Sequence, residues 1–418
     1  MKLIRVFSFL ILFISFFSVL NAQQQSDTLI KKLHQKNIFT LAFYKQPGKD
    51  SMVDFVDGVY RVFKVKKERG ENEDQTKSHF TFIPGVEYSL ATGLSASVNA
   101  SLLLPKVQGS LNKSSIYSSL KYTQNHQIIS QFATNIWSKN GEFNFNSNWS
   151  YLKYPQLDYG LGNNSKLSLF DNLDYSYLKL YQSALKKIAP NLYFGPGLNI
   201  DYHWNLTDTT TKNKPVNGLT QYGSSKHSNS TGFLLTLLYD TRVNNLNPVA
   251  NSAFLNVSYR NNTTILGSDQ NWQALVIDYR KYVPFPMGSK NILAFWTYDQ
   301  LILKGNPPYL DLPNTASDIY NNFGRGYVQS RFRGSKVLYA ESEYRFGITE
   351  IGFLGGVVFA NVQSLSAQPG TNIQGVLPGY GAGLRIKFNK HSNTSVALDY
   401  AFGQGGSKGL FMNLGEVF

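Results

Sequence analysis

The chain has 418 residues and no cysteine, with 40 Lys and Arg against 26 Asp and Glu and a formal charge of +14 at pH 7. Without cysteine it has no disulfide framework, no thiol nucleophile and no thiolate metal site. Aromatic residues make up 14%, charged residues only 16%, and there are 34 glycines, a balance that describes many short strands joined by turns rather than amphipathic helices. The basic excess fits a basic interior, contacts with anionic headgroups or acidic partners. Its dispersal through strand-like segments speaks against nucleic acid.

Residues 1–22 read as a secretory signal peptide. Lys2 and Arg5 supply the positive start, residues 7–20 an apolar stretch too short for a comfortable span, and Leu20-Asn21-Ala22 a small-residue exit. Beyond it no window of about 18 apolar residues occurs, so a helical membrane protein is excluded and the exported chain is soluble, peripheral or a barrel. Residues 23–77 are polar, with a charge-dense stretch over 61–77 after a modest apolar segment around 53–60. A short periplasmic helix, a lumenal plug and a solvated lead-in all fit them.

Over residues 78–418 strands alternate with turns. The clearest run is Phe143-x-Phe145-x-Ser147-x-Trp149-x-Tyr151, whose intervening Asn144, Asn146, Asn148 and Ser150 are all polar. That is one apolar and one wet face at period two. The alternation recurs in Tyr380-x-Ala382-x-Leu384-x-Ile386-x-Phe388, set against Gly379, Gly381, Gly383, Arg385 and Lys387, and in Val396-x-Leu398-x-Tyr400-x-Phe402. The charges lie on the polar side. In a barrel that side faces the lumen, because Arg or Lys at the lipid midplane costs roughly 2–4 kcal/mol. The pattern predicts an all-β fold, an antiparallel transmembrane β-barrel of about 16 strands, with roughly 14 or 18 as alternatives.

Two long connections interrupt it. Residues 205–228, rich in Thr, Ser, Asn and Gly, read as an extracellular loop. Residues 304–334, between predicted strands 11 and 12, contain Gly305-Asn306-Pro307-Pro308 and then Phe323-Gly324-Arg325-Gly326-Tyr327. An arginine between glycines threads a narrow space and seeks carboxylates. A surface turn with a solvated arginine also fits, and Arg69-Gly70 and Arg333-Gly334 occur elsewhere. Downstream, Glu341, Glu343 and Arg345 share one face of a predicted strand, and Asp399 lies inward on another. The chain closes on Gly409-Leu410-Phe411-Met412-Asn413-Leu414-Gly415-Glu416-Val417-Phe418, where Leu410, Met412, Leu414 and Phe418 alternate and Glu416 is the exception. A last strand that seals a barrel and faces lipid reads this way; so, in isolation, does an edge strand of a soluble β-protein.

With these fragments in order, residues 80–418 resemble the BamA/TamA (bacterial surface antigen) and two-partner-secretion transporter superfamily. The resemblance is carried by Arg325-Gly326-Tyr327, Tyr154-Pro155-Gln156-Leu157-Asp158-Tyr159-Gly160-Leu161-Gly162-Asn163, Tyr239-Asp240-Thr241-Arg242 with Asn247-Pro248, Glu343-Tyr344-Arg345-Phe346, Leu398-Asp399-Tyr400-Ala401-Phe402 and the closing run. It implies an outer-membrane barrel whose loop folds inward through Arg325, Gly326 and Tyr327. Glu341, Glu343, Asn361 and Asp399 are then candidate lumenal acceptors, and Phe411, Leu414 and Phe418 the closing-strand and assembly signal. Two departures stand out. The family's Phe-x-Asp-x-Gly motif aligns with Phe359-Ala360-Asn361-Val362-Gln363, so Asn361 is expected to accept one hydrogen bond from Arg325 without supplying charge. The lead-in is also too short for a polypeptide-transport-associated (POTRA) domain, which makes this a short form lacking them.

The expected function is that of a non-enzymatic barrel in the cell outer membrane, resembling assembly and translocation factors that handle polypeptides or lipids. Its expected partners are outer-membrane lipid, the barrel-assembly machinery during biogenesis, and polypeptide substrates or lipoproteins, with no nucleic acid. A passive pore or structural barrel is the alternative, and a barrel-embedded lipid hydrolase the third. The sequence has no phosphate loop and no His-Glu-x-x-His, and its histidines lack metal spacing. No catalytic residue, metal or cofactor is therefore predicted.

Overall fold

A computed structural model describes residues 78–108, 113–210, 218–223, 226–245, 247–318, 321–389 and 393–418. The expected signal peptide and the lead-in over 23–77 lie outside them. The described residues form 17 strands. The first nine are β1 (His79–Ser89), β2 (Gly93–Leu103), β3 (Ser115–Thr123), β4 (Ile128–Trp137), β5 (Phe143–Lys153), β6 (Gln156–Asp158), β7 (Asp171–Ala189), β8 (Leu192–Asp208) and β9 (Ser228–Asp240). The others are β10 (Ala253–Asn262), β11 (Trp272–Pro284), β12 (Ile292–Lys304), β13 (Lys336–Gly347), β14 (Leu354–Ser366), β15 (Gln374–Asn389), β16 (Thr394–Gly403) and β17 (Lys408–Leu414).

Each strand pairs antiparallel with the next in a single sheet, except that β5 passes over β6 to pair with β7. β6 is the strand beyond the expected sixteen. Its three residues pair only with the start of β7, Gln156 opposite Leu173 and Asp158 opposite Asp171, and carry no period-two signal. The long connection expected between strands 11 and 12 consequently lies between β12 and β13. The sheet curls until β1 and β17 lie side by side, but among the described residues no backbone ladder joins them. The loop expected over 205–228 is shorter than its composition implies, because β8 continues to Asp208 and residues Gly218–Tyr222 form a helical turn.

Period-two patterning sorts the side chains onto two faces. On β5, Phe145, Trp149 and Tyr151 are about 40% exposed while Asn144 is buried. On β13, Val337, Tyr339, Glu341, Glu343 and Arg345 all point to the buried face. The outer face carries Leu94, Leu120, Phe194, Leu235, Phe295, Val358, Tyr380 and Tyr400, all exposed. So many large apolar groups around a sheet with a polar inner face describe a surface meant for lipid rather than water.

The closing run departs from expectation. β17 ends at Leu414, and Gly415, at φ 94°, turns the chain off the strand. Val417 and Phe418 are then buried on the inner face. Leu410 and Leu414 stay outward, while Phe411 packs inward against Val357, Phe359 and Ala401. Of the three proposed closing residues, therefore, only Leu414 faces outward. Glu416, whose charge broke the alternation, explains the turn: its carboxylate meets Arg385 at 2.6 Å inside the sheet.

Antiparallel order places alternate connections at the same end. Residues 159–170, 209–227, 263–271, 305–335 and 367–373 emerge at one end, while His79, Leu414 and the short turns 190–191 and 348–353 lie at the other. We expect Leu235→Arg, on the outward face of β9, to lower folding stability in bilayers by roughly 2–4 kcal/mol. Denaturant titration in lipid vesicles measures this, and an unchanged midpoint would remove lipid from the outer face.

Candidate functional site

Residues 305–335 leave β12 at the long-loop end and run across the inner face of the sheet. Their deepest contact is an ion cluster. The Arg325 guanidinium has no solvent exposure. Its Nη1 donates to Asp399 Oδ2 at 2.5 Å, its Nη2 to Glu341 Oε1 and Glu343 Oε2, and its Nε to Glu341 Oε2 at 3.4 Å. The plane of the group lies over the Phe359 ring, 3.5 Å from the centroid. A delocalised, weakly hydrated cation suits such a site, since it satisfies several carboxylates and an aromatic face at once.

The cluster extends to two further arginines. Arg345 Nε reaches Glu343 Oε1 at 2.6 Å, and Arg385 Nη1 reaches Asp399 Oδ1 at 2.5 Å while its Nε holds Glu416. Tyr339 donates its hydroxyl to Glu341. Three guanidinium groups thus face four carboxylates on the inner face. Backbone clearance matters as much as charge. A Cβ on Gly379 would lie 2.6 Å from the Arg325 carbonyl oxygen, so only glycine lets the loop tip rest on β15.

Aromatic packing surrounds the ions. Phe323, Tyr327 and Phe332 from the loop join Trp296 and Tyr339 from the strands and Val417 and Phe418 from the end of the chain in one buried cluster. The Trp296 and Phe418 rings stack at 5.1 Å, and Arg345 Nη2 donates to the Phe418 carbonyl at 2.8 Å. Asn322 Nδ2 donates to the Val417 carbonyl at 2.9 Å. The tip therefore reaches residues that end the sheet opposite the end where the loop enters.

A second anchor holds the loop on β6–β9. Arg333 Nε donates to Asp158 Oδ1 at 3.2 Å, and Tyr309 donates its hydroxyl to Asp158 Oδ2 at 2.5 Å. Tyr154 donates to Gln329 Oε1 at 2.6 Å, and Gln156 Nε2 to Ser330 Oγ at 3.0 Å. Asp311 accepts from Ser230 at 2.5 Å and lies 3.7 Å from His203 Nδ1. A Ser–His–Asp grouping does arise here, because Ser228 Oγ is 3.4 Å from His203 Nδ1. Hydroxyl and carboxylate share one ring nitrogen, however, so no relay runs from acid through imidazole to hydroxyl.

The structure brings Arg325, Glu341, Glu343 and Asp399 together. Tyr327 lies beside them and donates to the Pro378 carbonyl at 2.6 Å, and Gly326 takes φ 106° against the Phe402 carbonyl. Asn361 behaves differently from expectation. It accepts nothing from the guanidinium; its Nδ2 donates to the Arg325 backbone carbonyl at 3.0 Å and to Glu341 at 3.4 Å. Three carboxylates already occupy the guanidinium, so the amide is left to hold the backbone instead. Sequence reasoning missed Phe359, Arg385 and Glu416 as members of the cluster, and missed Arg333 with Asp158 altogether. The signals available were the charges on the polar side of two alternating runs, and Asp158 inside the Tyr154–Asn163 fragment.

Arg325→Ala leaves Glu341 buried without a cation and takes from Glu343 and Asp399 one of their guanidinium partners, a loss of about 3–5 kcal/mol. We expect cleavage within residues 305–335 under limited proteolysis to accelerate roughly tenfold or more; unchanged cleavage would sink the docking. The second anchor carries a pH dependence. Burial and, next, the facing Asp201 carboxylate push the Asp311 carboxyl up from 3.8 to about 8. The docked loop thus favours the protonated form, and this contribution is complete below the free value and lost as pH rises towards about 8. Loop proteolysis should therefore quicken between about pH 4 and pH 8 in the wild type, with a flatter profile in Asp311→Asn; identical profiles would exclude Asp311 as the titrating group.

No protein-family model and no curated protein sequence matches the chain. Solved structures do. BamA from Haemophilus ducreyi lacking POTRA domains 1–3 is 13% identical, with a TM-score of 0.55 over 81% of this chain and 70% of that one. CdiB from Acinetobacter baumannii is 12% identical, with a TM-score of 0.50 over 81% of this chain and 60% of that one. CdiB from Escherichia coli is 10% identical, with a TM-score of 0.51 over 90% of this chain and 73% of that one. At such identities the likeness is one of fold: this all-β antiparallel sheet is built like those of BamA and CdiB.

Proposed function

We propose that the chain is exported through its first 22 residues and resides in the outer membrane as a barrel with β1 beside β17, closed internally by residues 305–335. There it acts without enzymatic chemistry on polypeptides or lipids. The observation that carries this reading is the two-sided docking of the loop: Arg325 is held by β13 and β16, and Arg333 by Asp158 on β6. A segment tied across the interior narrows any path for solutes, so a wide diffusion pore is the weaker alternative. Among the described residues no ladder joins β1 to β17, which favours a barrel that admits a segment at that seam, because unpaired strand edges recruit extended chains. The likeness in fold to BamA and CdiB supports the same direction without assigning a substrate.

Two measurements test it. In planar bilayers the wild type should give small, flickering currents, while a variant with both Arg325 and Arg333 replaced by alanine should give larger ones; large steady wild-type currents would favour the passive pore. A photo-crosslinking residue at Leu414, exposed on β17, should capture polypeptide in growing cells if the seam handles chains. Labelling of lipid alone would remove polypeptides from the proposal, and labelling of neither would overturn it.

A further inference from the structure

The long-loop end of the sheet carries a cleft of about 600 Å³, well within the size of small-molecule sites. Four separate connections wall it: Gln221 and Tyr222 from the helical turn, Asp269 and Gln270 before β11, Asn306 after β12, and Gln368 after β14. One bond ties two of the walls, and two more brace the wall that carries Asp269 and Gln270. Tyr222 donates its hydroxyl to the Pro307 carbonyl at 2.9 Å, the Asn229 amide donates to Asp269 Oδ2 at 2.8 Å, and Ser268 Oγ donates to the Gln270 carbonyl at 2.8 Å. The cleft is thus formed before any ligand arrives, which spares a ligand the cost of ordering its loops.

Its chemistry is selective. No lysine or arginine lies among the described lining residues, although the chain carries +14 overall. An anion entering here would meet the Asp269 carboxylate and no guanidinium. The walls offer instead four planar side-chain amides, one carboxylate and the imidazole of His227. Each amide presents a donor beside an acceptor, the pairing that neighbouring hydroxyls satisfy. A half-buried ring at Tyr222 supplies a flat apolar surface with a polar tip. Hydroxyl-rich edges combined with an apolar C–H face are the properties of a pyranose ring. We propose that this cleft binds an uncharged oligosaccharide at the end of the sheet that bears the long loops.

The full-length protein, purified in detergent, is titrated calorimetrically with unsubstituted gluco-, galacto- and manno-oligosaccharides, with a polyanionic polysaccharide as a separate arm. Saturable binding of at least one neutral sugar is expected, weakened roughly tenfold in Asn306→Ala and in Gln270→Ala. Heat-dependent gel mobility identical to the wild type shows that these variants are folded. Three outcomes overturn the proposal: no neutral sugar binds, the polyanion binds more tightly than every neutral sugar, or binding is undiminished in both variants.

Discussion

The inner face of β13–β16 is organised around a cation with no solvent exposure. Glu341, Glu343 and Asp399 converge from β13 and β16, all buried. Three carboxylates at such separations repel strongly in a low-dielectric interior unless a cation stands between them. Arg345 and Arg385 offset part of that repulsion from the strands themselves. The central position, however, is filled by Arg325, which arrives from a connection rather than from the sheet. A wall that depends on charge supplied by a loop is incomplete while the loop is elsewhere. Removing Arg325 therefore disturbs the strands as well as the segment that carries it.

A buried ion cluster is a poor source of net stability, because desolvation cancels much of the attraction. Its geometry is demanding, and that is its use here. The loop has alternative apolar contacts in plenty, given Trp296, Tyr339, Leu365 and Leu377 on the inner face, and aromatic packing alone tolerates shifts in register. The guanidinium does not, since it must meet three acceptors in one plane while Phe359 covers its face. The polar contacts thus fix the loop more narrowly than its aromatic packing does.

Much of this was legible in the sequence because sheets write their faces at period two. Phe145, Trp149 and Tyr151 alternate with asparagines, and the structure separates them accordingly. The carboxylates at 341, 343 and 399 could be placed on the inner face for the same reason. What escaped were features that depend on pairing between distant segments. Arg333 sits in a glycine-flanked dipeptide like any turn, and nothing local says that its partner is Asp158. β6 is too short to show a period. The Asn361 side chain can accept as well as donate, and the crowding of carboxylates around Arg325 decides that it donates. At the end of the chain, the apolar alternation of Leu410, Met412 and Leu414 invited extension to Phe418. The single charged exception at Glu416 was the true boundary, because Arg385 and Arg345 wait for it on the inner face.

That boundary ties two ends of the molecule together. Phe418 and Val417 lie in the same aromatic cluster as Phe323 and Tyr327, and Asn322 holds the Val417 carbonyl directly. Withdrawal of the loop would uncover Trp296 and Phe418 and strip Val417 of its hydrogen bond, so the last residues lose their reason to stay off the strand. Conversely, residues 415–418 cannot swing out to lengthen β17 without opening a cavity beside Trp296 and Tyr282. Close-packed interiors resist such voids and shift between discrete arrangements rather than deforming smoothly. The position of the loop and the length of the edge strand facing β1 are therefore two readings of one packing state. The loop across the inner face and the residues that follow β17 are thus held by the same contacts.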